Sequence, residues 1–337
     1  MANLSTTYMG IKLKNPLILG ASNLVSKPET IAQLVDAGIG AIVYKSLFEE
    51  QIQLERLQFE EEITEYEDRN AEMTRLFPAM EHAGPKEHLF NLKKLKESVP
   101  VPVFGSLNAI YEPTWVEYAR LLAETGIDGL EINLYAVPCY FEVNGCSLEE
   151  KQVQIVKSIK KAVNIPVSVK LSPFYTNTLN FIKQLDEAGV DGYVLFNKFF
   201  QPEIDIQDEL FYYPWELTNE QEHQLALRFS GLLHGNIHGG ICASRGVQSA
   251  ADVIRLLLAG ADVVQIVSAV YKNQPGYIAT MLGELMEWMD RKGYKTIDEF
   301  RGKLSRRNLK DPYSYQRGQY VEILMKSEEI FKKYPMK

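Results

Sequence analysis

Lys45 and Lys170 each close a β-branched run, Ala-Ile-Val-Tyr-Lys and Val-Ser-Val-Lys, and Asn108, Asn133 and Asn197 close three more runs of the same kind. Lysine is rarely buried without a partner, so two cations and three amides gathered on one rim point to a polar ligand. A structural salt bridge across the rim is the alternative for either lysine. Asn236-Ile-His-Gly-Gly-Ile-Cys and Val263-Val-Gln-Ile-Val-Ser-Ala run into residues with accessible amides, Gly239 and Gly240 in one and Val267, Ser268 and Ala269 in the other. Adjacent parallel strands ending this way aim N–H groups at a single anion, which makes a phosphate grip. Among the cysteines, Cys139 follows Pro138 and Cys146 adjoins Ser147, and none of the three stands in CxxC spacing.

Elements must hold these residues together. Ala37-Gly-Ile-Gly-Ala, Thr125-Gly-Ile-Asp-Gly, Ala188-Gly-Val-Asp-Gly and Ala259-Gly-Ala-Asp-Val repeat one joint, in which Gly ends an amphipathic helix and an apolar strand follows. The strands so begun span 41–46, 129–134, 192–197 and 263–268. Each has a partner about 25 residues earlier, at 17–22, 102–107, 166–171 and 236–241. Eight strands alternating with helices predict a (β/α)8 TIM barrel, with its chemistry at the strand C-terminal ends. Pro28 opens one helix, and Ser147-Leu-Glu-Glu and Ser249-Ala-Ala-Asp read as capping boxes. Ser5–Met9 and Ile11–Leu13 flank Gly10 as a hairpin closing the barrel's bottom. The long connections after strands two, four and six are placed to cover a site, while the acidic run Glu60–Arg69 in the first of them reads as solvated surface. Nothing suggests a linker, so residues 1–337 are expected to form one domain. The barrel takes up about 15–290, and the C-terminal helices lie within 291–337, at Thr296–Lys303 and Tyr320–Lys333.

A net charge of −8 disfavours nucleic acid or an anionic membrane as a general partner, which leaves a small molecule. The first residues carry no basic or apolar leader, and no apolar run approaches the ~18 residues that span a bilayer, so a soluble, cytosolic protein is expected. Three cysteines are too few for a disulfide framework or an iron–sulfur cluster, and no metal is expected.

Asn15-Pro-Leu-Ile-Leu-Gly-Ala-Ser, Lys45-Ser46, Glu131-Ile-Asn-Leu, Val169-Lys-Leu-Ser-Pro, Gly239-Gly-Ile and Ala259-Gly-Ala-Asp-Val-Val-Gln-Ile-Val-Ser-Ala together resemble the dihydroorotate dehydrogenases, particularly the soluble class, from about residue 5 to 290. The resemblance implies an FMN-dependent oxidoreductase of pyrimidine synthesis that moves a hydride from a dihydropyrimidine to the flavin while a loop residue removes a proton. It implies that Ala21, Ser22, Lys45, Ser46, Asn108, Asn133, Lys170, Gly231, Gly239, Gly240, Val267 and Ser268 contact the cofactor, and that Asn133 and Asn197 face the substrate. A cation near the flavin's pyrimidine edge favours the negative charge that edge acquires. The family places its catalytic Cys or Ser three residues after the Asn equivalent to Asn133, where this chain has Ala136. Cys139 is the candidate base, with Lys45 beside it in the catalytic set, and Tyr135 or Ser147 stands as the other choice in that loop. The stretch Glu81-His-Ala-Gly-Pro has no asparagine where the family's substrate loop carries one. The resemblance implies a homodimer, and the second electron step needs a diffusing oxidant or a separate electron-transfer chain. Other readings are a flavin enzyme of this fold acting on another cyclic substrate, a flavin-free aldolase or isomerase using Lys170 as a Schiff-base amine, and a non-catalytic metabolite binder.

Overall fold

In the computed structural model, which describes residues 2–55, 84–134, 136, 141–316 and 324–335, a hairpin of β1 (Thr6–Tyr8) and β2 (Ile11–Leu13) precedes eight barrel strands. These are β3 (Leu17–Leu19), β4 (Ala41–Phe48), β5 (Val103–Asn108), β6 (Gly129–Asn133), β7 (Val167–Leu171) and β8 (Gly192–Leu195), then β11 (Gly240–Ala243) and β12 (Val263–Ile266). A small exposed hairpin, β9 (Glu203–Asp205) and β10 (Leu210–Tyr212), stands between β8 and β11. All barrel neighbours are parallel, and the ring closes where β12 pairs with β3. The chain therefore folds as the (β/α)8 barrel expected of it.

The repeated helix-to-strand joint has a physical cause. Gly38, Gly126, Gly189 and Gly260 all take positive φ, from +84° to +128°, which lets the helix turn back toward the sheet. Two residues on, the backbone N–H of Gly40, Asp128, Asp191 or Asp262 donates to the first strand of the neighbouring pair, at Leu17, Val103, Val167 or Ile241. The aspartates do more. The Asp128 carboxylate accepts from the Val103 N–H at 2.7 Å and from Lys96 at 2.6 Å, and Asp262 accepts from the Ile241 N–H at 2.7 Å and meets Arg301 at 2.9 Å. Asp191 does the same for Val167 with Lys160. In the first copy glycine replaces aspartate, and Asn15 fills the gap from the other side: its Oδ1 accepts from Leu17 N–H and its Nδ2 donates to Gly38. A Cβ on Gly40 would sit 2.9 Å from that Oδ1.

Below the barrel, Met9 and Gly10 turn the β1–β2 hairpin with φ of 52° and 76°, the paired positive values of a tight two-residue turn. Tyr8 and Met9 enter the barrel's bottom and join an interior cluster with Ile18, Val43, Phe104, Val194 and Cys242. Glycines make room for this plug. A Cβ on Gly129 would lie 2.9 Å from Met9, and one on Gly192 would lie 2.8 Å from the Tyr8 hydroxyl. A second, larger core fills the layer between strands and helices.

Several expectations shift. The seventh barrel strand begins at Gly240 rather than at residue 236, because the preceding amides are taken elsewhere. The helix Gly145–Ala162 is capped by Asn144, whose Oδ1 accepts from the Ser147 N–H at 2.8 Å, so Ser147 lies inside the first turn instead of capping it. The Ser249–Asp252 capping box is present as expected. Thr296–Lys303 forms a single 3-10 turn followed by hydrogen-bonded turns, and of the segment Tyr320–Lys333 the helix Ser327–Lys333 is described. The acidic run Glu60–Arg69 lies outside the described residues.

Candidate functional site

Within β6, β7 and β12, polar side chains alternate with apolar ones, and the polar set points into the barrel. Glu131 and Lys170 stand on adjacent strands, and Gln265 stands on β12, diametrically opposite β6 in the ring. Their side chains meet across the barrel: Lys170 Nζ lies 3.4 Å from Glu131 Oε1 and donates to Gln265 Oε1 at 3.3 Å, while Gln265 Nε2 donates to Glu131 Oε2 at 2.5 Å. The structural salt bridge considered for Lys170 is therefore present. It is also more than structural in placement, because Lys170 and Gln265 form the floor of an open cleft above.

The cleft brings together Ala21, Ser22, Asn197, Val267 and Ser268 with Lys170, six of the residues expected there. Asn133 joins through Asn197, whose Nδ2 donates to Asn133 Oδ1 at 3.2 Å. That bond leaves the Asn197 carbonyl and the Asn133 amide hydrogens to address a ligand, a pairing that matches a ring edge bearing both N–H and C=O.

Lys45, Ser46 and Asn108 sit on the neighbouring arc of the rim, outside the cleft's lining. A register shift between Val43 and Ser46 against β5 inserts an extra residue and re-aims Lys45, while Ser46 and Ser106 share a hydroxyl hydrogen bond of 2.7 Å. Beneath Lys45, His88 is buried edge-on to Tyr44 with ring centroids 5.0 Å apart, and its ring nitrogens find no hydrogen-bond partner among the described residues. Burial first, and the Lys45 cation second, push the imidazole down to about 3. The unfolded chain takes up a proton below ~6.5 that folded His88 refuses, so stability is full above that pH and falls as the pH drops toward 3. His88→Leu is expected to flatten that fall, read from denaturant unfolding at stepped pH. Equal slopes for variant and parent would mean that the buried ring accepts the proton.

The anion grip is displaced from its expected position. Gly239 and Gly240 lie at the N-terminal end of β11, on the barrel's bottom, where the Gly239 N–H donates to Asp186 at 3.0 Å and the Gly240 N–H donates to the Asp191 carbonyl. Burial would raise the Asp186 carboxyl, but the N–H groups of Gly239 and His238, the His238 ring and the Tyr193 hydroxyl hold it below its usual value. These amides are spent. Gly231 is equally remote, facing Tyr315 so closely that a Cβ would lie 2.2 Å from its hydroxyl. At the opposite end of β11, Ser244, Arg245, Gly246 and Val247 border the cleft. Arg245 and Gly246 have φ of 80° and 69°, consecutive left-handed residues that turn backbone amides to one side. Among the described residues the N–H groups of Gly246, Val247, Ser268 and Ala269 have no acceptor. Ser268 Oγ accepts from both the N–H and the hydroxyl of Thr218, at 2.9 and 2.8 Å, so its own proton is free to donate. The Ser22 hydroxyl is buried at the cleft edge beside Tyr271. This donor set fits the phosphate of a bound ester.

Thr218 ties the roof to this corner. Its carbonyl accepts from Gln248 at 2.9 Å and from Lys272 at 3.0 Å, and nearby Trp215 leans between Phe200 and Tyr271. Cys139 and Tyr135, with most of the stretch Glu81–Pro85, lie outside the described residues, and Cys146 is exposed on the first turn of its helix. Among the described residues no group of His, Cys, Asp and Glu side chains could hold a metal, and no helix is long and apolar enough to cross a membrane.

The family model for dihydroorotate dehydrogenase matches residues 79–289, a span running from before β5 through β12 and including every residue of the floor triad. The chain belongs to the dihydroorotate dehydrogenase family. It is similar to the dihydroorotate dehydrogenase B (NAD(+)) catalytic subunit of Thermoplasma volcanium, with 30% identity over 312 residues, covering 90% of this chain and 98% of that one. The like-named subunit of Methanocaldococcus jannaschii is 25% identical over 308 residues, covering 89% and 97%. Dihydroorotate dehydrogenase A (fumarate) of Lactobacillus helveticus is 28% identical over 226 residues, covering 63% and 71%. Family membership makes the chain an oxidoreductase, with its cleft on the rim where barrel enzymes carry their chemistry. Sequence reasoning missed Glu131, Gln265, Arg245, Gly246 and Thr218. The first two carried a signal in the alternation Glu131/Asn133, Ser168/Lys170 and Gln265 of polar residues within apolar strands. Thr218 carried none.

Proposed function

We propose that this chain is an FMN-dependent enzyme that oxidises dihydroorotate to orotate. The observation that carries the reading is the cleft itself, with unpaired backbone amides and the Ser268 proton at one end and the Lys170 ammonium with the Asn133–Asn197 pair at the other. Phosphate at the first and a planar ring at the second are the two needs of a flavin mononucleotide, and the named activities of the relatives agree with that cofactor class. When bound, FMN supplies the acceptor for the hydride that leaves the dihydropyrimidine.

The chain's own residues do the rest. Glu131 and Gln265 fix the Lys170 ammonium so that its remaining hydrogen faces the cleft, where a preorganised cation acts on negative charge as it develops. Asn133 and Asn197 orient the substrate ring by its imide edge. Trp215 and Phe200 pack against each other at the mouth of the cleft. The proton of the adjacent ring carbon passes to a base on the connection after β6, and Cys139 is assigned that role, since Ser147 spends its hydroxyl on the Asn144 carbonyl. The two electrons then leave to a diffusing oxidant or a separate electron-transfer chain, and the protein works in the cytosol as a homodimer.

Anaerobic addition of dihydroorotate to the purified yellow protein tests the reading directly. Loss of the visible flavin bands is expected, and bands unchanged by dihydroorotate would sink the substrate assignment while leaving the cofactor standing. Cys139→Ala is expected to abolish that bleaching with FMN still bound, and Cys139→Ser to move its pH optimum upward, because a hydroxyl is the weaker acid. Parent-like bleaching in both variants would remove Cys139 from the mechanism.

A further inference from the structure

Two helices begin beside the anion corner, and residues at their starts face one another. His223 immediately precedes the helix Gln224–Leu233, and its backbone packs so closely on the turn that a Cβ on Gly246 would lie 2.3 Å from its nitrogen. On the other side, Asp252 stands in the first turn of the helix Ala250–Ala259. It accepts from the N–H groups of Gln248 and Ser249, both at 3.0 Å, and so anchors the chain directly after Val247. His223 Nδ1 is buried, makes no hydrogen bond among the described residues, and lies 3.7 Å from Asp252 Oδ1. That gap is too long for a hydrogen bond and short enough for an ion pair. The ring borders an open pocket shared with Ser249, Asp252 and Arg255, which gives protons access from solvent. Of the other charges nearby, half-exposed Arg255 meets the same Asp252 oxygen at 2.6 Å, and Glu222 is taken by Arg245 with the Lys198 charge beyond it. Glu220 is exposed at the pocket, and the Tyr277 hydroxyl stands beyond Asp252. Asp252 is therefore the acceptor that His223 meets on gaining a proton.

We propose that His223 and Asp252 form a proton-dependent clamp on the anion corner: protonated His223 pairs with Asp252, ties the two helix starts together around the Arg245–Gly246 turn, and tightens the hold on a phosphate monoester. This rests on the function proposed above and adds to it regulation of the cofactor site by pH. Linkage gives the sign. Protonation that favours the bound anion is itself favoured by the anion, by the same factor, so the clamp strengthens retention as the pH falls and relaxes as it rises.

Titration of the flavin-depleted full-length protein with FMN and with riboflavin, the same ring without its phosphate, tests the clamp. Binding is read from flavin fluorescence between about pH 8 and about pH 5, the span in which imidazole changes charge. The phosphate of FMN titrates there as well, alike for parent and variant, so the quantity read is the ratio of their dissociation constants. His223→Gln, uncharged throughout, is expected to bind FMN at least about fivefold more weakly than the parent at the acid end and to approach the parent at the alkaline end. For riboflavin the ratio is expected to stay level. His223→Leu, a second uncharged variant, is expected to show the same trend. An FMN ratio that is the same at both ends overturns the clamp and makes His223 a strut. So does a riboflavin ratio that changes with pH as the FMN ratio does. A parent that holds riboflavin as tightly as FMN overturns the placement of the phosphate in the function proposed above, and the clamp with it.

Discussion

Gly246→Ala is expected to yield protein that retains little or no FMN and unfolds at markedly lower denaturant than the parent. The residue sits at φ +69°, and an added Cβ would lie 2.3 Å from the His223 backbone nitrogen, with no flexible side chain able to give way. A left-handed alanine alone costs ~1–2 kcal/mol, and relief of the clash must move the β11–helix turn that carries two of the free amides. The informative control is Gly240→Ala. Its Cβ would meet Tyr8 at 2.8 Å on the barrel's bottom, so it should lower stability while the folded fraction keeps full flavin content. Visible absorbance per folded molecule separates the two, and full occupancy in folded Gly246→Ala would relocate the phosphate.

The second large effect concerns the floor triad. Lys170→Met leaves Glu131 as a buried carboxylate without its cation, an arrangement that costs ~3–5 kcal/mol. The same variant also removes the charge assigned to the reaction, so stability and rate fall together and cannot be apportioned from it alone. Adding Glu131→Gln removes the uncompensated charge and keeps a side chain able to bond Gln265. The double variant is expected to regain most of the lost stability by denaturant unfolding, yet to remain at least ~100-fold slower than the parent in flavin bleaching, in line with loss of one preorganised donor. Recovery of both would reduce Lys170 to a structural ion pair.

The barrel was legible because its repeated joint is short and recurs: a glycine reverses the helix, and in three of the four copies an aspartate two residues on takes the N–H of the strand before it. The β11 register was not, because it depends on Asp186, a residue of another helix, capturing the amides of His238 and Gly239. Two glycine turns, Gly239-Gly240 and Arg245-Gly246, flank the same strand, and only its start against Gly192 shows which one faces the rim. Lys170, Asn133 and Asn197 could be named from their places at strand ends. Their partners could not all be, since Gln265 reaches Glu131 across the full width of the ring and Thr218 comes from the long excursion after β8. Lys45 was expected in the cleft and is turned onto the adjacent arc by the extra residue in β4, which the sequence does not mark.

The hairpin plug at the bottom of the barrel bears on the order in which the chain can be made. Tyr8 and Met9 leave the ribosome well before Phe104, Val194 and Cys242, which form the walls that enclose them. The partner that closes β3, at Val264–Ile266, is synthesised later still. Until then the nascent barrel carries an open strand edge at β3 and an uncovered tyrosine and methionine below it, and sealing them requires joining segments about 250 residues apart. A product released before β11 emerges would leave both exposed together, which marks truncated translation products of this chain as substrates for chaperones and proteases rather than as partial enzymes.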